Sequence, residues 1–181
     1  MHKTIAELLH ESDYSQSDIL GLLKAENDDK KRLFQKAREI KSHIFGDKVF
    51  LRGLIEFSNI CAKDCLYCGI RKSNKEVKRY FLSDNEIIEA VNFAFSQNYG
   101  SIVLQSGEVK SKEFITRIDR LLKRIRKITG DNFGITLSCG EQSESTYSRW
   151  YDSGANRYLI RIETGNEKLY QEIHPNDSLH N

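Results

Sequence analysis

The chain has 181 residues, 39% of them apolar and 30% charged, with 28 Lys and Arg against 26 Asp and Glu. That ordinary balance excludes a disordered or collagen-like protein, and a net charge of +2 gives no pull toward nucleic acid. No stretch approaches the roughly 18 unbroken apolar residues of a membrane helix, and the start MHKTIAELLHESD turns acidic before an export signal could form, so the cytoplasm is the expected address.

In chain order, Ser15 and Asp18 make a capping pair for a short helix through Ile19, Leu22 and Leu23. A longer helix is expected from about Asp28, because Leu33, Ala37, Ile40 and Ile44 recur on one face, and Gly46 is placed to end it. From Val49 the pattern changes. VFLRGLIEFS is rich in β-branched and aromatic residues and predicts a strand running into a cysteine-rich loop. Ser83 and Glu86 form a capping box for a helix carrying Ile87, Val91, Ala94 and Phe95. Residues 101–106 (SIVLQS) predict a short buried strand. The stripe Phe114, Ile118, Leu121, Ile125 and Ile128 predicts a helix. A third strand follows at 133–138, a short helix at Tyr147, Trp150 and Tyr151, and a fourth strand at 157–163 (RYLIRIE). A last helical turn or two begins near Glu167, before Pro175. The eight Lys and Arg of residues 110–127 read as the solvated outer face of their helix, whose apolar stripe is committed to the sheet.

The result is an α/β fold: a helical leader over 1–46, then β-α repeated four times over 47–181, which predicts a parallel sheet with right-handed crossovers. Alternation along each strand puts polar side chains on one phase at its C-terminal end. These are Glu56 and Ser58, Gln105, Thr136 and Ser138, and Arg161 and Glu163. In parallel βα architectures those ends gather at one face, where active sites sit.

Three of the four cysteines, Cys61, Cys65 and Cys68, fall within eight residues directly after the first strand, spaced Cys-x3-Cys-x2-Cys. In a chain without an export signal, clustered thiols read as metal or cluster ligands before disulfides. Three thiolates hold three corners of an iron–sulfur cube and leave one iron open. Zinc, the alternative, prefers two separated pairs, and no second pair exists here. Cys139 stands apart and reads as a small core residue.

Cys61, Cys65 and Cys68, with the aromatic Tyr67 before the last of them, resemble the signature of the radical S-adenosylmethionine (radical SAM) superfamily. The longer strings LRGLIEFSNICAKDCLYCGIR, IVLQSGE, ITLSCGE and RYLIRIETGN are similar, in order and spacing, to the HydE family of iron–iron hydrogenase maturases. The likeness is strong from about Val49 onward and looser over the helical leader. It implies a 4Fe–4S cluster on Cys61, Cys65 and Cys68, its fourth iron chelated by the amino and carboxylate groups of S-adenosylmethionine (SAM). Gln105, Ser106, Gly107 and Glu108 stand in place of the family's Gly-Gly-Glu segment, which holds the SAM amino group, with Ser106 in place of the first glycine. Ser138 and Glu163 would hold other polar atoms of SAM, and Tyr67 would lie near the adenine, mainly through its backbone. Thr136 and Arg161 would face the substrate, Arg161 toward a carboxylate or other anion.

The chemistry so implied is one-electron cleavage of SAM to methionine and a 5′-deoxyadenosyl radical, inside a lumen that shields the radical from solvent. The implied substrate is an organometallic iron–cysteine species bearing carbonyl and cyanide. The implied partners are an electron donor such as ferredoxin or flavodoxin and the other hydrogenase maturases, with neither nucleic acid nor membrane. A closed (βα)8 barrel takes ~250 residues, so four units make an incomplete TIM-type barrel, truncated at its C-terminus and poorly active alone. Two other readings remain open: another biotin synthase-like radical SAM enzyme, and a non-catalytic metal-binding half barrel.

Overall fold

Four short strands with chemically different faces organise the chain from Phe50 onward. The computed structural model describes residues 3–175 and residue 177. They divide into two compact units, one up to Val49 and one from Phe50.

The first unit is helical: α1 (Ile5–Leu8), α2 (Gln16–Leu23) and α3 (Asn27–Phe45). Capping boxes start α1 at Thr4 and Glu7 and α2 at the expected Ser15 and Asp18. Gly46, at φ 65°, ends α3 in the left-handed region that favours glycine. The apolar stripe of α3 differs from a core-facing one, since Ile40 and Ile44 are 49% and 62% exposed. The period of the helix is right, but α3 buries none of its residues.

The second unit alternates β1 (Arg52–Glu56), α4 (Asp84–Ser96), β2 (Ser101–Gln105), α5 (Lys112–Thr129), β3 (Gly134–Ser138), α6 (Glu144–Asp152), β4 (Arg157–Tyr158) and α7 (Glu167–Ile173). The four strands form one sheet in the order β1-β2-β3-β4, each pairing parallel, and the sheet is not closed. The Ser83–Glu86 capping box starts α4 as the sequence predicts. The fourth strand is shorter than its β-rich sequence suggests. After the rung from Leu159 N–H to the Leu137 carbonyl at 2.8 Å, β3 turns away at Gly140 (φ 71°), so Arg161 and Glu163 lie on an extension outside the ladder.

Each strand packs one phase against the helices. Ile55, Phe57, Ile102, Leu104, Ile135, Leu137 and Cys139 form the core with Ile87, Val91, Ile118, Leu121, Ile125 and Trp150. Burial of each such aliphatic side chain contributes about 1.5–3 kcal/mol. The opposite phase is arranged in layers by the register. Leu54, Val103 and Thr136 align in one layer, and Glu56, Gln105 and Ser138 in the next, at the strands' C-terminal ends. That polar layer is the floor of the site described next.

Candidate functional site

β1 delivers the chain into a loop that closes on itself between Ser58 and Phe81, which form an antiparallel bridge. Buried Asn59 holds the two ends together, its amide donating to the Lys78 carbonyl and its oxygen accepting from Tyr80 N–H, both at 2.8 Å. Arg79 fastens the middle. Its guanidinium donates to the carbonyls of Asn59, Ile70, Arg71 and Asn74 at 2.7–3.2 Å. A loop has no ladder to satisfy its carbonyls, and one forked cation does so here. Cys68 N–H donates to the Cys65 carbonyl at 3.0 Å, making the turn between the second and third cysteines.

The segment after β2 is zipped against this loop. Glu108 N–H donates to Cys61 Sγ at 3.4 Å, and Ala62 N–H donates to the Glu108 carbonyl at 2.9 Å. Gly107 permits the approach: a Cβ there would lie 2.3 Å from the Ile60 carbonyl oxygen and 2.6 Å from Cys61 Cβ. On the other side, Ser106 N–H donates to the Ser138 carbonyl at 3.0 Å. The Glu108 carboxylate is buried and already engaged. It accepts from Glu141 N–H at 2.8 Å and pairs with Lys110 at 3.1 Å and Lys63 at 3.7 Å. Lys63, from the cysteine loop itself, also reaches Glu141 and Asp177. Burial disfavours its charge, but the Asp177, Glu108 and Glu141 carboxylates outweigh that and hold the ammonium pKa above its usual value. Asn59, Lys63, Arg79 and Asp177 were not singled out by motif or period, because their partners are backbone groups or distant residues. Lys63 alone carried a local hint, its place between two cysteines.

A pocket of about 380 Å³ opens above the polar layer. Cys61, Cys65 and Cys68 line it together with Tyr67, Gln105, Ser106, Gly107, Glu108, Ser138, Arg161 and Glu163, and with Glu56 of the floor. Eleven candidate residues drawn from four separate stretches of sequence thus share one cavity. Thr136 is not on its wall. It sits one layer deeper, 3% exposed, with a hydroxyl that has no hydrogen-bond partner among the described residues. Cys139 points the other way, fully buried in the helix-facing core, and burial pushes its thiol up to about 11. The Cys65 thiol is also raised, chiefly by burial, with the neighbouring Cys68 and Cys61 adding to the rise.

Three thiols around one pocket, with a backbone N–H aimed at one sulfur, suit a group that takes one thiolate on each of several metal atoms. Among the described residues no three His, Cys, Asp or Glu side chains converge on the position of a single ion. The three thiols around one open pocket fit an iron–sulfur cluster.

Residues 55–180 match the Radical SAM superfamily. The [FeFe] hydrogenase maturase subunit HydE of Thermotoga maritima is 42% identical over 149 residues, which are 82% of this chain and 42% of that one. A biotin synthase of Staphylococcus haemolyticus is 28% identical over 177 residues, covering 96% of this chain and 54% of its own. Among solved structures, methylornithine synthase (PylB) superposes with a TM-score of 0.79 at 26% identity, over 96% of this chain and 51% of that one. The chain thus spans about half the length of the relatives it matches. With the family match covering residues 55–180 and the three thiols gathered at the sheet's C-terminal edge, the chain belongs to the radical SAM superfamily.

Proposed function

We propose that this chain carries the cluster- and SAM-binding units of a HydE-type maturase, acting in assembly of the [FeFe] hydrogenase active-site cluster on an organometallic iron–cysteine substrate. The observation that carries the reading is the shared pocket: three thiols on one wall and the aligned Glu56, Gln105 and Ser138 on its floor. The 42% identity to the Thermotoga maritima maturase supports the choice within the superfamily.

Cys61, Cys65 and Cys68 would hold a 4Fe–4S cluster, which when bound supplies the electron that cleaves SAM to methionine and a 5′-deoxyadenosyl radical. Glu108 N–H steadies the Cys61 sulfur from behind. With the Glu108 side chain tied to Lys63, Lys110 and Glu141, the segment 105–108 offers SAM mainly its backbone carbonyls and the Gln105 side chain. Ser138 and Glu163 offer acceptors for hydroxyl and amino groups. Arg161 offers a donor to an anionic group of SAM or substrate.

The test is anaerobic reconstitution with iron and sulfide, followed by electron paramagnetic resonance of the reduced protein with and without SAM. A cluster signal that changes on adding SAM is expected, because SAM binds the open iron. No cluster, or one whose signal ignores SAM, overturns the proposal. A second reading, another biotin synthase-like enzyme, is favoured by the biotin synthase and methylornithine synthase likenesses. Deoxyadenosine released only in the presence of some other small molecule would establish it.

The electron must come from outside, and the loop's outer side suits an acidic donor such as ferredoxin or flavodoxin. Lys72, Lys75 and Lys78 are exposed, the first of them beside the Asp64 carboxylate. Reversing all three to Glu is expected to slow cluster reduction by such a donor by ~10-fold or more at low ionic strength. Reduction by dithionite should be unchanged, and the difference should fade in high salt. Stopped-flow bleaching of the cluster reads both, and equal slowing with both reductants would refute the docking face.

A further inference from the structure

The end of α7 reaches back to the cysteine loop and fastens it at a side chain between two of the thiols. Leu66 N–H donates to the Ile173 carbonyl at 2.9 Å. The next residue, His174, is only 4% exposed. Its ring stacks on Tyr170 at 4.0 Å and meets Tyr67 edge-on at 5.4 Å. Both ring nitrogens are engaged: Nδ1 lies 3.0 Å from the Tyr170 carbonyl oxygen and Nε2 lies 2.7 Å from the Tyr67 hydroxyl.

These partners settle the tautomer. A carbonyl only accepts, so Nδ1 carries a proton and donates it, and in the neutral ring Nε2 is then the accepting nitrogen. The Tyr67 hydroxyl therefore donates to Nε2. Tyr67 follows Cys65 by two residues and precedes Cys68, and its hydroxyl neighbours the Cys65 sulfur. A half-exposed tyrosine in a loop would otherwise be free to swing about χ1.

We propose that His174 is a positioning residue for the cluster site: by accepting a hydrogen bond from the Tyr67 hydroxyl, it fixes the phenol beside Cys65 and so sets the geometry of the Cys65–Cys68 turn. The relay runs from the Tyr170 carbonyl through the imidazole to the phenol, and links α7 to the cluster-binding loop. It rests on the reading of the three cysteines as cluster ligands. Groups that orient ligands from behind in this way are worth about 10–100-fold in metal affinity or activity.

The experiment uses the full chain, reconstituted anaerobically, with His174→Phe, His174→Gln, Tyr67→Phe and the Tyr67→Phe/His174→Phe double variant. Iron and sulfide content against chelator, the reduced-cluster resonance signal and the melting temperature are read for each. His174→Phe keeps the aromatic stack and loses both nitrogens. It is expected to weaken cluster retention by ~10-fold or more and to alter the resonance signal. Tyr67→Phe should do the same, and the double variant should be no worse than either single one, because both break one link. His174→Gln supplies an amide oxygen as acceptor and should restore most of the signal. A histidine that merely packs would lower the melting temperature and leave the cluster signature untouched, and that result overturns the inference. Additive losses in the double variant overturn it too. Should His174→Phe fail to fold, Tyr67→Phe with its half-exposed ring carries the same test. A wild-type chain that binds no cluster would instead sink the functional reading, so the two failures are distinguishable.

Discussion

Gly107→Ala is expected to strip the protein of stable cluster binding, although the residue has no functional atom to lose. Its added methyl would lie 2.3 Å from the Ile60 carbonyl oxygen, 2.8 Å from the Ile60 carbonyl carbon and 2.6 Å from Cys61 Cβ. None of these is the free end of a flexible side chain. Two are backbone atoms, and the third is the Cβ of Cys61, a proposed cluster ligand, so relief requires the 106–108 segment and the cysteine loop to move apart. Such overpacking costs about 1–3 kcal/mol. Moving apart also stretches the Ala62–Glu108 hydrogen bond and the Glu108 N–H contact to Cys61 Sγ, which add about 1 kcal/mol each. The comparison is Gly100→Ala, at the start of β2, where a methyl meets nothing within 4 Å. It is expected to change stability by no more than about 0.5 kcal/mol. Iron and sulfide per chain and thermal melting of the two variants decide the matter. Wild-type iron content in Gly107→Ala would mean the two segments do not need this contact.

The residues that make this contact show why the site was only partly legible in the sequence. The cysteine spacing, the QSGE string and the alternation in each strand are local signals, and all three put residues in the pocket that the sequence nominated. Capping boxes at Ser15 and Ser83 are local in the same sense. The register is not. Nothing within β1, β2 or β3 states that Glu56, Gln105 and Ser138 stand level, since that follows from pairing across the sheet. Thr136 shares the phase of Ser138 but lies one layer down, a depth that alternation alone cannot give. The fourth strand is shorter than its sequence suggests for a related reason. Residues 157–163 have strand-forming side chains, yet a strand also needs a neighbour, and β3 ends at Ser138. Arg79 and His174 leave no signal in the sequence because their partners, loop carbonyls and Tyr67, follow no periodic spacing. A guanidinium that satisfies four carbonyls leaves no periodic trace.

The four cysteines are expected to separate sharply on replacement by alanine. Loss of Cys61, Cys65 or Cys68 should each abolish stoichiometric iron and the visible absorbance of the reconstituted protein. Two remaining thiolates cannot hold three corners of a cube, and removing a ligand outright costs more than the about 10–100-fold lost with an outer group. Melting of the apo protein should change little for Cys65 and Cys68, which are only partly buried and make no core contact, and somewhat more for Cys61, which loses the hydrogen bond from Glu108 N–H. Cys139→Ala should behave in the opposite way. Its side chain is fully buried among Ile135, Leu137 and their neighbours, so truncation leaves a small void and costs about 1 kcal/mol. Iron content should stay at the wild-type level. The thiol's raised pKa, about 11, keeps it protonated at neutral pH, and a metal takes the thiolate. One strand phase separates the two behaviours: Ser138 faces the pocket and Cys139, the next residue, faces the helices. If Cys139→Ala emptied the protein of iron while Cys68→Ala did not, the cluster would not rest on Cys61, Cys65 and Cys68.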